Sequence, residues 1–157
     1  MELLERWLVD IDPFSWKSVL TCVICGSVIG FERQYYGKPA GIRTSIIICM
    51  STYIFVAISK SVVNFNGDYT RVIGQIVTGV GFLGAGVMFS KKGLVIGVTS
   101  ASFIWLLAGL GSIIGIGLHR AAIIFSVISI VITFLVGQLE RLFKGLKKGV
   151  HDDGYEE

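Results

Sequence analysis

The chain has few charged residues for its length. Only 16% of its 157 residues are Asp, Glu, Lys or Arg, whereas soluble domains average about 25%. Hydrophobic residues make up 53%, and the mean hydropathy is +0.74. This composition excludes an ordinary soluble domain and predicts an integral membrane protein. One domain is expected, because the connections between the apolar runs are too short to fold separately.

Signals of catalysis are also scarce. The chain has two histidines, His119 and His151, and it lacks the H-E-x-x-H, G-x-S-x-G and P-loop motifs. No paired carboxylates lie within the apolar runs. We therefore expect a protein that is not an enzyme, needs no cofactor and binds no nucleic acid. The acidic end at 152–157 could attract divalent cations weakly, but such an end is more often a solvated terminus. Whether the chain binds a metal therefore stays open.

The three cysteines, Cys22, Cys25 and Cys49, all lie inside apolar runs. The C-x-x-C formed by the first two indicates redox chemistry only beside a soluble βαβ unit. In an apolar setting, thiols are better interpreted as small buried hydrophobes. The first dozen residues are acidic and lack a basic leader and a small-residue cleavage site, so no cleavable signal peptide is expected.

Five apolar segments approach the roughly 20 residues that cross a hydrocarbon core of about 30 Å. They predict an all-α membrane domain over residues 1–139, with helices at about 14–31, 42–63, 71–90, 98–118 and 121–139. Lys and Arg favour one set of connections by nine to five. Because basic loops stay cytoplasmic, the amino end is expected outside and the carboxyl end inside. The basic part of the tail at 140–157, Arg141 to Lys148, predicts contact with anionic membrane lipids.

The third segment, RVIGQIVTGVGFLGAGVMF at 71–89, carries five glycines. Its helix would align a seam of small residues, which lets neighbouring membrane helices approach closely. We therefore expect it to be the central helix of the bundle. Its G-x-G-x-x-G lacks the strand, helix start and acidic residue of a dinucleotide site. A G-x-x-x-G in the fourth segment predicts that this helix lies against the third. The predicted helix-packing residues are Gly74, Thr78, Gly79, Gly81, Gly84, Ala85, Gly86, Gly111 and Gly115.

A first polar cluster lies in the predicted cytoplasmic connection, GFERQYYGKPAGIRTS at 30–45. Thr44 and Ser45 fall in the first turn of the next helix, where they could satisfy open backbone donors. Glu32 and Arg43 have the charges to pair across the turn. An ordinary rim salt bridge is one interpretation. A site for an anion or a lipid head group is the other, with Arg33, Lys38, Arg43 and Thr44 as its contacts.

A second polar cluster, Asp68, Arg71 and Gln75, lies at the entrance of the third helix. Capping by Asp68 and snorkelling by Arg71 are the ordinary explanation. Polar groups at that depth usually face protein or water, so the alternative is a ligand or ion site that also uses Glu32 and Arg43. Thr99, Ser100 and Ser102 lie at the start of the fourth helix. Their hydroxyls could bond to carbonyls of their own helix, which is the commoner role, or to a neighbouring helix.

Together, GFERQYYGKPAGIRTS, GDYTRVIGQIVTGVGFLGAGVMF and GVTSASFIW resemble the amino-terminal membrane domain of the MgtC/SapB family over about residues 30–117. The family pattern falls on Glu32, Arg33, Gly41, Arg43, Thr44, Asp68, Arg71, Gln75, Gly79, Gly81, Gly84, Gly86, Thr99 and Trp105. The sequence departs from it at Ser45, where a His or Asn often follows Arg-Thr. A short member, without the soluble carboxyl-terminal domain of some relatives, is expected.

The resemblance implies five helices in a bacterial inner membrane and a link to growth at low magnesium and, in pathogens, to survival inside host cells. It favours action by binding other membrane proteins, such as the ATP synthase. Our first hypothesis is therefore a non-enzymatic protein that acts through helix contacts in magnesium-linked or acid-linked homeostasis, as a homo-oligomer or with a membrane partner. The alternative is an oligomeric magnesium or proton transporter with a polar path near Asp68, Arg71 and Gln75.

Overall fold

A computed structural model describes residues 11–62, 70–91 and 94–143. Within these ranges the chain forms five α-helices and one short β-hairpin. The helices are α1 (Trp16–Tyr35), α2 (Ile42–Val62), α3 (Thr70–Val87), α4 (Val98–Gly115) and α5 (His119–Leu142). The hairpin joins α3 to α4 and consists of β1 (Phe89–Lys91) and β2 (Leu94–Ile96). The predicted all-α class is confirmed.

Four of the described helices, α2 to α5, are long and apolar enough to cross a membrane. The first helix, α1, falls short of the same standard because Lys17, Glu32 and Arg33 lower its average hydropathy. It also continues four residues beyond the predicted end at residue 31, so Glu32 and Arg33 belong to its last turns rather than to a loop.

The central helix is α4, so the expectation that the third helix occupies the centre was wrong. Half of α4 is buried and it packs against every other helix, whereas only 17% of α3 is buried. Helix α3 packs mainly on α4, with a smaller contact to α2. Hydrophobic side chains of α4 at Phe103, Leu107 and Leu110 fill the middle of the bundle.

Helices α1 and α2 pack closely against each other, and glycine makes this approach possible. A Cβ added at Gly26 would lie 2.6 Å from the Cα of Ile46, and one at Gly30 would overlap the backbone of Ile42. Beside this contact the three cysteines are free and fully buried, as expected for small hydrophobes, and Cys22 donates its S–H to the carbonyl of Cys49 at 3.8 Å.

The β-hairpin ends α3 at Val87, three residues before the predicted end. Gly97 then turns the chain into α4 with a φ of +89°, a conformation that side chains other than glycine rarely adopt. A Cβ at this position would also overlap the carbonyl oxygen of Val87. The hairpin therefore fixes the antiparallel arrangement of α3 and α4.

At the opposite end of the bundle, the start of α1 contacts α2 and α5. The backbone N–H of Ser15 donates to the Tyr53 hydroxyl at 2.8 Å, and Phe14 packs edge to face on the same ring. Ser18 Oγ lies 3.1 Å from Nε2 of His119, whose Nδ1 lies 2.9 Å from the Gly117 carbonyl oxygen. These contacts fix α1 against both neighbouring helices.

Candidate functional site at the end of α1

Among the described residues, the buried charged side chain is Arg33, which is only 3% exposed. Its Nη2 donates a 2.8 Å hydrogen bond to Ser100 Oγ in the first turn of α4. Its Cζ lies 4.7 Å from the centre of the Phe103 ring, which is cation–π distance. Arg33 thus links the carboxyl end of α1 to the amino end of α4, and we call Arg33, Ser100 and Phe103 the arginine clasp.

Glu32 adds a carboxylate to the clasp. Its side chain is 14% exposed, and Oε2 lies 3.7 Å from Nη1 of Arg33. That distance gives charge attraction but is too long for a good hydrogen bond, and Oε2 is buried without a hydrogen-bond partner. The sequence suggested Arg43 as the partner of Glu32, but the ion pair found among the described residues is with Arg33, and Arg43 is exposed.

The connection from α1 to α2 is a tight turn. Gly37 and Ala40 both have positive φ, +62° and +64°. Gln34 Oε1 accepts a hydrogen bond from the backbone N–H of Ile42 at 3.3 Å. Ser45 Oγ instead donates to the carbonyl of Ala40 at 2.9 Å. In the described part of the chain, Gln34 is therefore the side-chain acceptor at the start of α2, and the suggestion that Ser45 fills this role was wrong.

The predicted lipid and anion contacts divide into two groups. Arg43 and Thr44 are exposed and Lys38 is half-buried, so these side chains remain accessible at the end of the bundle. Arg33 is turned inward onto Ser100. A head group at the bundle surface could not reach most of its side chain, so that predicted contact does not agree with the structure.

The second predicted cluster lies far from the clasp. Gly84 of α3 contacts Ala101, the neighbour of Ser100, and Arg71 precedes Gly84 by thirteen residues, which is about 20 Å along a helix. Arg71 and Gln75 are exposed, and Asp68 lies outside the described residues. The structure therefore places Glu32 and Arg43 near one end and Arg71 and Gln75 near the other, rather than in one site.

The predicted packing residues of α3 also fall into two groups, one buried against α4 and one exposed. Gly84 packs on Ala101, whereas a Cβ at Gly74, Gly79, Gly81 or Gly86 would meet no atom of the described residues within 4 Å. Thr78 and Ala85 are exposed as well, and the Thr78 hydroxyl donates to the carbonyl of Gly74. Within this chain the α3 seam therefore faces away from its neighbours. Whether it packs against another chain stays a prediction.

Gly111 and Gly115 do face a neighbouring helix, but it is α2 rather than the expected third helix. A Cβ at Gly115 would lie 2.6 Å from the Val56 side chain, and one at Gly111 would overlap Thr52. Sequence reasoning missed Gly26 and Gly30, although the segment GSVIG has the same G-x-x-x-G spacing. That spacing was the signal that could have found them.

Hydroxyl groups elsewhere in the bundle bond mostly to their own helices, as predicted. Thr52, Ser102, Ser112 and Ser126 all donate to carbonyls three or four residues earlier. Two hydroxyls reach another helix instead: Ser100 accepts from Arg33, and Ser18 lies at hydrogen-bond distance from His119. Thr99 and Trp105, both in the family pattern, are exposed. In the described ranges no three His, Cys, Asp or Glu side chains group together as metal ligands.

The buried clasp and the long apolar helices define a class: this is a multi-pass α-helical membrane protein. The model of the MgtC family matches residues 19–142, most of the sequence, so the chain belongs to the MgtC family. The resemblance noted in the sequence is confirmed. The proteins that this chain resembles come from bacteria, and four of its described helices can cross a membrane. Both observations agree with the expected localisation in a bacterial inner (plasma) membrane.

Several curated proteins are similar to this chain. "Putative magnesium transporter YhiD" of Escherichia coli K12 is 35% identical over 145 residues, covering 88% of this chain and 66% of YhiD. "Protein MgtC" of Brucella abortus strain 2308 is 34% identical, covering 89% and 62% respectively. "Protein SapB" of Bacillus subtilis 168 is 34% identical, covering 82% and 59%. The chain thus spans about two thirds or less of these relatives. No solved structure matches it.

Proposed function

We propose that this chain is a non-enzymatic membrane protein that acts through helix contacts in magnesium-linked or acid-linked homeostasis, and that α3 makes the contact. The observation that carries the proposal is the outward face of α3, formed by Arg71, Gly74, Gln75, Thr78, Gly81, Phe82 and Ala85. All seven are exposed, and their spacing puts them on one side of the helix. The opposite side, with Ile76, Val80 and Gly84, is buried in the bundle.

Four of the seven residues on this face, Gly74, Thr78, Gly81 and Ala85, are small, and small residues favour a protein neighbour over lipid. Membrane helices associate through close backbone packing and interhelical hydrogen bonds, because lipid tails already solvate large apolar side chains. Gly74 and Gly81 leave open space for such an approach. By contrast, the exposed side of α5 carries large side chains such as Phe125, Ile132 and Leu135, which suit acyl chains.

Polar residues on the same face support the same conclusion. Arg71 and Gln75 lie in the first two turns of α3 and are exposed within this chain. Polar groups in membrane helices usually face protein or water, because exposure to hydrocarbon is costly. A Gln amide both donates and accepts hydrogen bonds, so Gln75 could pair with Gln75 of a second copy. We therefore take a homo-oligomer as the first occupant of the face and another membrane protein as the second.

An oligomeric magnesium or proton transporter is the second candidate. Two observations favour it: a relative is named "Putative magnesium transporter YhiD", and the outward face of α3 carries Arg71 and Gln75. If several copies met at this face, those two side chains would line the space between them. This candidate uses the same surface but requires ions to pass through it.

Replacing a glycine on the outward face tests the contact. Gly81→Leu should fit the single chain, because a Cβ there meets nothing within 4 Å, yet it should block close approach of a second helix. The matched control is Gly109→Leu on α4, another exposed glycine with open space. We expect Gly81→Leu to convert the oligomer to a monomer in light scattering of the detergent-purified protein, and Gly109→Leu to leave it unchanged. A wild-type chain that is already monomeric in lipid nanodiscs and captures no membrane partner would contradict the proposal.

Flux measurements separate the two candidates. Purified chain is reconstituted into liposomes, and the entry of magnesium and protons is compared with that of empty vesicles. The contact proposal expects no difference. Flux above empty vesicles that is lost in Arg71→Ala but kept in Arg43→Ala, at the other end of the bundle, would replace the contact proposal with the transporter.

A further inference from the structure

The carboxyl group of Glu32 is poorly satisfied by the fold around it. Its Oε2 is buried and receives no hydrogen bond from the residues that the structure describes. The ion pair with Nη1 of Arg33 is 3.7 Å long, which is beyond good hydrogen-bond distance. Arg33 also contacts α4, where its Nη2 donates to Ser100 and its guanidinium lies over the Phe103 ring. A negative charge on Glu32 is therefore only partly compensated.

Few other charges face this carboxyl group. Helix α4, which packs against α1, contains no ionisable side chain. In the turn that follows α1, Lys38 is near enough to act on Glu32 through its charge. The other charged side chains that the structure describes at this end of the bundle are exposed or half-buried: Arg43, Glu140 and Arg141. Arg33 and Lys38 are thus the counter-charges that act on Glu32.

Burial favours the neutral form of a carboxyl group, because the charged form loses its hydration. Burial raises the pKa of Glu32 above the ordinary value of 4.5, and the charges of Arg33 and Lys38 lower it by less. Glu32 lies in the last turn of α1, beyond the predicted membrane span at 14–31, and its side chain is 14% exposed. Protons from the aqueous phase can therefore reach it.

We propose that Glu32 is a proton-binding site, at which a fall in pH neutralises the carboxyl group and stabilises the junction of α1 with α4. Because the pKa of Glu32 is higher in the folded chain than in the unfolded one, the folded chain binds the proton more readily. The stability therefore rises as the pH falls from neutral, and the gain is complete below the ordinary pKa of 4.5. This inference goes beyond the contact made by α3 and does not depend on it.

Glu32→Gln tests the proposal in the full chain, because an amide has nearly the shape of a neutral carboxyl group but does not titrate. Unfolding of the detergent-purified chain is measured between about pH 7.5 and pH 5. We expect the unfolding constant of the wild type to fall relative to that of Glu32→Gln as the pH falls, by at most about tenfold per pH unit for one proton. At neutral pH, Glu32→Gln should be the more stable chain. The matched control, Glu140→Gln near the end of α5, should keep the pH dependence of the wild type.

Infrared spectroscopy adds a readout that a purely structural role of Glu32 would not move. The C=O band of a protonated carboxyl group should appear in the difference spectrum between acid and neutral wild-type protein, with a midpoint above pH 4.5. This band should be missing in Glu32→Gln. If Glu32→Gln does not accumulate, Glu32→Asp assigns the band, because it shifts the band while it keeps a carboxyl group.

Two results would overturn the proposal. One is a pH dependence of unfolding that is the same in the wild type and in Glu32→Gln. The other is a Glu32 carboxyl band with a midpoint at or below pH 4.5. All the chains compared share the same α3, so either result would leave the contact proposal standing. A wild-type chain that contacts no other protein would equally leave the proton site standing.

Discussion

Helices α3 and α4 are both 18 residues long and both contain glycine, yet they differ in how many of their residues are buried. Half of the residues of α4 are buried and 17% of those of α3. Glycines of α4 admit α2 to close contact within the chain, whereas most glycines of α3 face open space. Small residues of α4 thus build the fold within the chain, whereas those of α3 form the surface that we propose for contact with another chain.

The largest effect is expected where a glycine is enclosed within the fold. Gly111→Leu would drive a side chain into Thr52 and the carbonyl of Cys49, and such overpacking costs about 1–3 kcal/mol or more. We expect a strong fall in the thermal midpoint in detergent, or failure to accumulate in the membrane. Gly109→Leu, which has open space, should stay close to wild type. Equal stability of the two variants would show that α4 and α2 do not pack as described.

The arginine clasp should give the next largest effect. Arg33→Ala removes the hydrogen bond to Ser100 and the contact with Phe103, and hydrogen bonds to charged groups contribute about 1.5–3 kcal/mol. A double-mutant cycle combines Arg33→Ala with Ser100→Ala and measures the free energy of unfolding in detergent. The double variant should lose less stability than the sum of the two single losses, because both changes remove the same hydrogen bond.

Ser102→Ala is the control for that cycle, because the Ser102 hydroxyl bonds to Val98 of its own helix. The free-energy changes of Arg33→Ala and Ser102→Ala should add to within about 0.5 kcal/mol. If the free-energy changes of Arg33→Ala and Ser100→Ala also added, the two side chains would not interact, and the arginine clasp would be contradicted.

The smallest expected effect is on replacing glycine with alanine, and its direction should differ between a glycine with open space, Gly74, and an enclosed one, Gly26. Gly74→Ala should raise the unfolding free energy of the detergent-solubilised monomer by up to about 1 kcal/mol, since Ala favours helix and its methyl meets nothing. Gly26→Ala should lower that free energy, because its methyl would lie 2.6 Å from Ile46 Cα. Stabilisation by both changes would mean that α1 and α2 are farther apart than the structure has them.

The sequence predicted the class and the approximate helices because apolar runs of membrane length are a strong local signal. It could not predict which helix is central. Glycine seams indicate that a helix can be approached, but not whether the neighbour belongs to the same chain. The clasp was missed for a related reason: Arg33 lies in a charged stretch typical of a solvated loop, and Ser100 is 67 residues away. Only the continuation of α1 to Tyr35 brings the two together.

Cysteine cross-linking along α3 in native membranes tests the central claim most directly. Because the native cysteines are buried, disulfide-linked dimers can be assigned to the introduced thiol. We expect dimers for Gly74→Cys, Thr78→Cys, Gly81→Cys and Ala85→Cys, and little or none for Gly109→Cys on α4. Cross-linking that is equally strong at positions on other sides of α3 would contradict the account. So would the absence, at all four positions, of both dimers and links to another membrane protein.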